Sequence, residues 1–194
     1  MSDDRIAAST GESASGTGPA GADAAACAFL RAHGIPYRRF EHPPVFTCEE
    51  ADRLVPAEAA GIQTKNLFVR DKRGRRHWLI VTSCAKAVDL KGAARALGAD
   101  SLSLGSPERL LTHLGVTPGA VTLLALAHPG AGDVELVIDR AVWTGDGLRC
   151  HPMVNTATLV LTRDDARRFV EATGHALQLV ALPGMTPGAA EART

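Results

Sequence analysis

The stretch that decides the fold is KNLFVRDKRGRRHWLIVTS, residues 65–83. Two apolar runs of strand length flank the polar segment DKRGRR, in which Gly74 can adopt a positive φ angle. This pattern predicts an antiparallel β-hairpin. Lys65 and Asn66 stand where the first strand begins. A cation and an amide at the entry to an apolar strand are the feature of this sequence that most needs an explanation.

Helical and extended patterns alternate irregularly around the hairpin. Thr47 and Glu50 match a capping box at the start of a short helix, and Ser106 with Pro107 matches the start of another. The segment VTPGAVTLLAL, residues 116–126, is interpreted as a turn that leads into a strand. The sequence therefore predicts an α/β (α+β) fold with a mixed, largely antiparallel central sheet and packed helices, without the regular βαβ repeat of a Rossmann domain.

The remaining predicted elements follow the same rules of periodicity and capping. Helices are predicted within residues 22–34, 88–98 and 163–174, and strands within residues 35–42, 133–139, 156–161 and 176–182.

The two ends of the chain differ in composition from the middle. Residues 1–22 are rich in small and polar residues and are predicted to form a disordered tail, because they cannot bury enough apolar surface to offset the entropy of ordering. Residues 184–194 are predicted to be a flexible tail for the same reason. One domain is expected between them, at residues 23–183.

Composition limits the possible partners. The chain has 194 residues and a formal net charge of zero, which argues against a broad surface for DNA. No signal peptide or membrane-spanning segment is visible, so we expect a cytoplasmic protein without a membrane partner. The four cysteines form no Cys-x-x-Cys pair, which indicates neither a disulfide framework nor a zinc site. No nucleotide-binding glycine motif occurs, and no metal or cofactor is expected.

Several groups of polar residues are candidates for a site. Lys65 with Asn66 is either a solvated strand edge or a fixed cation with an amide donor beside it, which would suit an oxyanion or a phosphate. His151 and Asn155 either line a pocket or form an ordinary turn. The bend that contains Gly115 and Gly119 either presents backbone N–H groups to a ligand or is a plain turn.

Two further segments have weaker patterns. HPPVF, residues 42–46, is stiffened by its two prolines and could form one wall of a small pocket, while His42 itself is expected to be a surface histidine. Arg73, Arg75 and Arg76 make the hairpin turn the densest positive segment. They are either a solvated tip or a place where phosphates of a nucleic acid bind.

Taken in order, HPPVFTCEEA, TKNLFVRD, VDLKGAARALG, SPERLLTHLGVTPGAVT and HPMVNTATL resemble the bacterial prolyl-tRNA editing domain family. That family contains the YbaK-type deacylases and the insertion domain of prolyl-tRNA synthetase. The similarity covers roughly residues 25–182 and is closest to the free-standing Ala-tRNA(Pro) deacylases. It implies an enzyme that hydrolyses the ester of mischarged Ala-tRNA(Pro) in trans, without a metal.

The resemblance also implies roles for individual residues. Activity in the family depends most on the lysine of the TKN motif, which is Lys65 here. By the same matching, Asn66, His151 and the loop with Gly115, Thr117, Pro118 and Gly119 fall at the substrate pocket. Val45 and Phe46 are expected to close this pocket and to exclude proline by size. Asn155 is expected to bind substrate beside His151. The sequence departs from the family pattern at Leu123, where proline is expected, and at Cys48, where valine is usual.

Other functions fit the same residues. The enzyme could edit serine, cysteine or a non-protein amino acid, or the chain could be a non-catalytic module that binds tRNA or a synthetase. A lysine Schiff-base enzyme is possible from residue type alone. The expected partners are the acceptor end of tRNA(Pro) and, as suppliers of tRNA contacts, prolyl-tRNA synthetase or an elongation factor.

Overall fold

The computed structural model of the protein describes residues 21–56 and 59–185. Of the tails predicted at residues 1–22 and 184–194, residues 1–20 and 186–194 lie outside the described residues. Ala22 lies in a helix and Gly184 forms a β-bridge with Val88, so structured elements extend past the predicted domain limits of 23 and 183. No helix in the described ranges is long and apolar enough to span a membrane.

The elements are short and follow the capping residues of the sequence. The strands are β1 (Arg38–Glu41), β2 (Ile62–Asp71), β3 (His77–Ser83), β4 (Leu102–Leu104), β5 (Val134–Asp139), β6 (Gly147–Cys150), β7 (Ala157–Thr162) and β8 (Gln178–Val180). The α-helices are α1 (Ala22–Ala32), α2 (Cys48–Leu54), α3 (Leu90–Ala96), α4 (Pro107–Leu114), α5 (Arg140–Trp143) and α6 (Arg163–Ala172). Two 3₁₀ segments cover Leu123–Ala127 and Pro129–Asp133.

The predicted hairpin is the centre of the sheet. Strands β2 and β3 pair antiparallel from Thr64 opposite Ser83 to Arg70 opposite His77. The turn contains Gly74 with a φ of 67°, as predicted. The strand order is β1-β7-β6-β2-β3-β5-β8, with β4 also paired to β2. Both parallel and antiparallel pairs occur, so the predicted mixed sheet with packed helices is confirmed.

Strand β2 has a gap along the edge that faces away from β3. On that edge, β6 pairs with Ile62 and Gln63, and β4 pairs with residues 69–71. Among the described strands, none pairs with residues 64–68 on this side. Lys65 and Asn66 therefore lie where the sheet is open, and side chains from other segments can approach them.

Strand β3 is buried on both faces of the sheet. Leu79 and Val81 belong to the larger core cluster, whereas Trp78 and Ile80 belong to a second cluster against α3. This explains why the strand is a continuous apolar run without alternation. Burial on both sides fixes the hairpin register, because a slip of one residue would exchange the two core faces.

The prediction of a turn leading into a strand at residues 116–126 is wrong for the strand. Leu123–Ala127 forms a 3₁₀ helix whose N-cap is Thr122, and its first four residues are fully buried. A short, fully buried apolar run does not distinguish a strand from a buried helical turn. Three short elements, β4, α5 and β6, were also not predicted; they have three or four residues each.

An ion pair between the half-buried Lys86 and the buried Asp139 connects the segment after β3 to the end of β5. The Lys86 ammonium lies 2.6 Å from Asp139 Oδ2, and the Thr82 hydroxyl donates to the same oxygen over 2.9 Å. Asp139 Oδ1 accepts from the backbone N–H of Ala141 and caps α5. The Asp139 side chain is only 1% exposed, so these donors replace the water that it has lost.

We expect Asp139→Ala to lower the free energy of unfolding by about 2–3 kcal/mol, because it leaves the buried Thr82 hydroxyl without its acceptor, removes the cap of α5 and takes away the charge partner of Lys86. Urea denaturation followed by circular dichroism measures this change. The matched control is Glu135→Ala, which removes the partner of Arg76 in a more exposed pair and should cost about 1 kcal/mol or less. Equal losses in the two variants would contradict the assigned role of Asp139.

Candidate active site

A cavity of about 250 Å³ lies beside the open edge of β2. Its walls come from the loop before α2, the first half of β2, the bend before the 3₁₀ helix, and the chain that leads into β7. The lining residues are His42, Val45, Phe46, Thr47, Cys48, Ala51, Gln63, Thr64, Lys65, Asn66, Gly119, Val121, His151, Asn155, Ala157 and Thr158. Among these lining residues, Lys65 is the only lysine, and there is no arginine, aspartate or glutamate.

The Lys65 amine is held at the cavity wall. Its Nζ donates a hydrogen bond to the backbone carbonyl of Cys84 over 3.1 Å. That carbonyl is itself positioned by the hairpin, because the Cys84 N–H donates to the Gln63 carbonyl over 3.0 Å. An ammonium group has three donors, so the amine can still donate to a molecule in the cavity.

Three lining side chains have buried polar atoms that find no partner in the described part of the chain. These atoms are Gln63 Oε1, both amide atoms of Asn66 and His151 Nδ1. A buried polar group without a hydrogen bond costs roughly 1–3 kcal/mol, so such groups are rare unless a ligand or a water completes them. Their concentration at one cavity makes it the candidate binding site for a polar ligand.

His151 presents a hydrogen-bond acceptor to the cavity. Its Nε2 lies 3.0 Å from the Val121 carbonyl, which can only accept, so Nε2 carries the proton. Burial lowers the pKa of His151 to about 4, and the hydrogen bond to Val121 opposes this only in part. The ring is therefore neutral at physiological pH, and the lone pair of Nδ1 is available to a donor in the cavity.

The rim of the cavity is fixed by the cap of α2. Thr47 Oγ1 accepts from the Glu50 N–H, and Glu50 Oε2 accepts from the N–H groups of Phe46 and Thr47, as the capping box predicts. The Val45 N–H donates to the Asn155 carbonyl over 2.9 Å. These bonds hold Val45 in the wall, whereas Phe46 stands at the mouth with 75% of its surface exposed.

His42 belongs to this wall and is not simply a surface histidine. Its Nδ1 lies 2.9 Å from the Pro43 carbonyl, and its Nε2 lies 3.0 Å from the Thr158 hydroxyl. The carbonyl only accepts, so the proton is on Nδ1 and the Thr158 hydroxyl donates to Nε2. Both ring nitrogens are thus engaged, and the ring positions the HPPVF loop against β7.

The structure brings together most, but not all, of the predicted substrate-binding residues. Val45, Phe46, Lys65, Asn66, Gly119, His151 and Asn155 line the cavity. Gly115, Thr117 and Pro118 do not. Gly115 ends α4 with a φ of 64° and packs against the His128 ring, and Thr117 and Pro118 are exposed on the outside of the bend.

The arginines of the hairpin turn are distant from Lys65. The stretch of β2 from Lys65 to Asp71 spans about 20 Å at roughly 3.3 Å per residue. Arg76 is engaged by Glu135 over 2.8 and 2.9 Å and lies over the Trp78 ring. Arg73 and Arg75 border a separate surface cavity together with Asp71.

Sequence reasoning missed Gln63, Thr64 and Thr158 as lining residues. Gln63 lies two residues before Lys65, and side chains two apart on a strand share a face, so this spacing was a usable signal. Thr64 is placed by a hydrogen bond from its hydroxyl to the Arg149 carbonyl over 2.7 Å. That contact joins segments far apart in the chain, and no local pattern predicts it.

Cys48 and Cys84 form a disulfide, which the sequence analysis did not predict. The two residues are separated by 36 positions, and their Cα atoms lie 6.0 Å apart. Only the packing of α2 against the end of the hairpin brings them together, so their spacing in the sequence carried no signal. Cys27 and Cys150 remain free and buried.

The other departure from the family pattern, Leu123, lies away from the cavity. Leu123 is 1% exposed and is the first residue of the 3₁₀ helix. The N–H of a first helical residue has no acceptor within the helix, so proline and leucine both fit at this position. Leucine at this position packs in the core and does not line the cavity.

Comparison with known proteins identifies the family of this chain. The model of the aminoacyl-tRNA editing domain matches residues 42–169. The prolyl-tRNA editing protein ProX of Acetoanaerobium sticklandii is 34% identical over 148 residues, which cover 76% of this chain and 90% of ProX. The prolyl-tRNA synthetase associated domain-containing protein 1 of Danio rerio is 40% identical over 149 residues, covering 76% of this chain and 80% of that protein.

Solved structures share the fold. A candidate trans-editing enzyme for prolyl tRNA synthetase superposes with a TM-score of 0.63 at 20% identity, covering 82% of this chain and 96% of that one. The hypothetical protein APE2540 superposes with a TM-score of 0.63 at 23% identity, covering 80% and 98%. At these identities the structural similarity concerns the fold alone.

Fold and site together define a hydrolase of the editing class, with a small polar cavity and one cationic side chain. The chain belongs to the aminoacyl-tRNA editing domain family and is an aminoacyl-tRNA deacylase.

The low pKa of His151 predicts a pH-dependent contribution to stability. The folded pKa of about 4 lies below the ordinary value of 6.5, so the unfolded chain binds the proton more tightly. The wild type should therefore lose about 2–3 kcal/mol relative to His151→Gln when the pH falls from 7.5 to 4.5. Urea denaturation of both proteins at each pH measures this difference.

His77, whose pKa burial also lowers to about 4, is present in both proteins, so its contribution cancels. A difference in unfolding free energy that stays constant across this pH range would show that the folded His151 ring is not held neutral.

Proposed function

We propose that this protein hydrolyses the aminoacyl ester of mischarged tRNA(Pro) in trans, and that its preferred substrate is Ala-tRNA(Pro). The observation that carries the proposal is the position of Lys65, the one formally charged lining residue, in a small cavity with unpaired polar atoms around it. The names of the sequence relatives, a prolyl-tRNA editing protein and a prolyl-tRNA synthetase associated protein, support tRNA(Pro) as the substrate.

Lys65 and Asn66 are assigned to stabilise the transition state. Water attacks the ester carbonyl, and negative charge develops on the carbonyl oxygen. The Lys65 ammonium and the Asn66 amide are donors for this oxyanion. One well-placed donor at such a position contributes about 2.7–4 kcal/mol to catalysis. Because an aminoacyl ester is already activated, the site needs no serine or cysteine nucleophile.

The proton of the attacking water needs an acceptor, and the ester's own adenosine supplies one. The 2′-hydroxyl of the terminal ribose lies next to the ester and is assigned as the group through which the proton passes to the leaving 3′-oxygen. His151 Nδ1 is a neutral acceptor in the same cavity, and we assign it to orient the 2′-hydroxyl or the α-ammonium group. The products are the free amino acid and the uncharged tRNA.

Amino-acid selection is assigned to the size of the cavity. Its volume of about 250 Å³ is below the usual range of roughly 300–1,000 Å³ for small-molecule sites. Val45, Ala51, Val121 and Ala157 supply the apolar part of the wall. A rigid wall of this kind rejects larger side chains, such as proline, by steric clash rather than by loss of attraction.

Contacts to the body of the tRNA remain few on this neutral surface. Arg73 and Arg75 lie about 20 Å from Lys65 along β2, at roughly 3.3 Å per residue, so they would meet phosphates beyond the terminal nucleotide. Arg76 is occupied by Glu135 and is the weakest of the three candidates. Prolyl-tRNA synthetase or an elongation factor is proposed to supply further tRNA contacts.

The central test is Lys65→Ala. We expect Ala-tRNA(Pro) hydrolysis to fall about 100- to 1,000-fold, because the variant loses its charged oxyanion donor. The measurement is release of labelled alanine from a panel of tRNAs charged with alanine, serine, cysteine or proline, together with circular dichroism to verify the fold.

Lys72→Ala is the matched control, since Lys72 is an exposed lysine in the hairpin turn, and it should deacylate at the wild-type rate. Full activity of Lys65→Ala would refute the mechanism. Tight tRNA binding by the wild type without any turnover would instead identify a binding module.

Size selection is tested by Val45→Ala, which removes two methyl groups from the wall. We expect hydrolysis of Pro-tRNA(Pro) relative to Ala-tRNA(Pro) to rise about tenfold or more, since a missing methylene in such a pocket changes discrimination by roughly 1–3 kcal/mol. Competitive deacylation of the two substrates measures the ratio. Leu54→Ala, an exposed residue of α2 outside the lining, is the control. The same ratio in all three proteins would exclude Val45 as part of the size filter.

A further inference from the structure

We propose that Cys48 and Cys84 are a reversible thiol–disulfide site that sets how tightly α2 closes the cavity. Nothing in the family assignment predicts this pair, since valine is usual at the position of Cys48. The chemistry of the site is independent of the proposed function, whereas its effect on amino-acid selection rests on that function.

The disulfide links a lining residue of the cavity to a residue just outside the lining. Cys48 is the first residue of α2 and lines the cavity directly. Cys84 follows the end of β3, and its carbonyl accepts the hydrogen bond from Lys65 Nζ. The disulfide therefore joins α2, which forms part of the cavity wall, to the residue whose carbonyl holds the Lys65 amine.

Helix α2 has few other attachments to the domain besides Val55, which directly follows it and packs against Ala59 and Val160. Ala51 is the only buried residue among its seven residues. Asp52 pairs with Arg149 over 3.3 Å, but the Asp52 side chain is 56% exposed, and exposed ion pairs contribute little. The capping box of Thr47 and Glu50 is internal to the segment. The covalent link to Cys84 is thus the strongest constraint on the position of this helix.

The two linked cysteines also differ from the free ones in access to reagents. Cys48 and Cys84 are only partly buried, whereas Cys27 and Cys150 are 4% and 1% exposed. Burial raises the pKa of the Cys150 thiol to about 12, which disfavours its reactive thiolate. Oxidation and reduction should therefore be confined to the Cys48–Cys84 pair.

The redox step is a two-electron exchange with a small reagent. In oxidation by hydrogen peroxide, the two S–H bonds break, one S–S bond forms, and the peroxide takes up both electrons and both protons to give two molecules of water. In reduction by a dithiol, the dithiol becomes a cyclic disulfide and transfers two electrons and two protons to Cys48 and Cys84. Reduction frees α2 and loosens the wall that rejects large amino acids.

The experiment uses the full chain after treatment with hydrogen peroxide or with dithiothreitol, followed by desalting. Thiol titration of the denatured protein should count four thiols after reduction and two after oxidation, because one disulfide consumes two of the four cysteines. Peptide mapping should identify the Cys48–Cys84 link. Reduction should speed amide hydrogen exchange in α2 by about tenfold or more and leave β3 unchanged.

Deacylation assays of the same samples test the functional consequence. The preference for Ala-tRNA(Pro) over Pro-tRNA(Pro) should fall about tenfold on reduction, as expected when a wall that excludes one or two methylenes becomes loose. Cys84→Ala, whose side chain is outside the lining, should show the reduced behaviour under both treatments. Cys27→Ala keeps the pair and should respond as the wild type does.

The outcomes separate the two proposals. Failure of the native protein to form the link, or a link that alters neither α2 exchange nor amino-acid preference, would overturn the redox site. If no mischarged tRNA is hydrolysed in either state, the proposed function fails, and thiol counts with α2 exchange still decide whether the pair controls the helix.

Discussion

The hydrogen bond from Lys65 Nζ to the Cys84 carbonyl depends on the register of the β2–β3 hairpin, and the site depends on this bond. The register is fixed because β3 is buried on both faces, between two separate core clusters. Because the strand cannot slip, Cys84 stays at one distance from Lys65, and no carboxylate in the described ranges pairs with the amine. Under the proposed mechanism, an acidic partner would neutralise the charge that stabilises the oxyanion.

The gap along β2 explains why a functional site can exist inside a continuous sheet. A central strand normally has both backbone edges paired with neighbouring strands. Here β6 and β4 occupy the two ends of one edge, and no described strand pairs with residues 64–68 between them. Gln63 and Asn66 bring buried polar atoms to this opening. Without hydrogen bonds these atoms lower the stability of the fold, but they are available to a polar ligand.

The sequence predicted those features whose causes are local. The hairpin, the capping box of α2 and the ends of α4 follow from turn, cap and periodicity rules that act within a few residues. The 3₁₀ helix at Leu123–Ala127 escaped prediction because burial on all sides removes the periodic signal. Two further features were not predicted: the contact of His42 with Thr158 in the cavity wall, and the Cys48–Cys84 link. Both join segments that only the tertiary fold brings together.

The position of the arginines shows how such non-local information changes a functional interpretation. In the sequence, Arg73, Arg75 and Arg76 follow Lys65 closely and form the densest positive segment. An extended strand converts that short separation into about 20 Å, at roughly 3.3 Å per residue, and places the two cationic regions at opposite ends of β2. Under the proposed function, selectivity for the ester arises within the cavity itself, from the Lys65 amine, a few unpaired polar atoms and the wall that α2 provides.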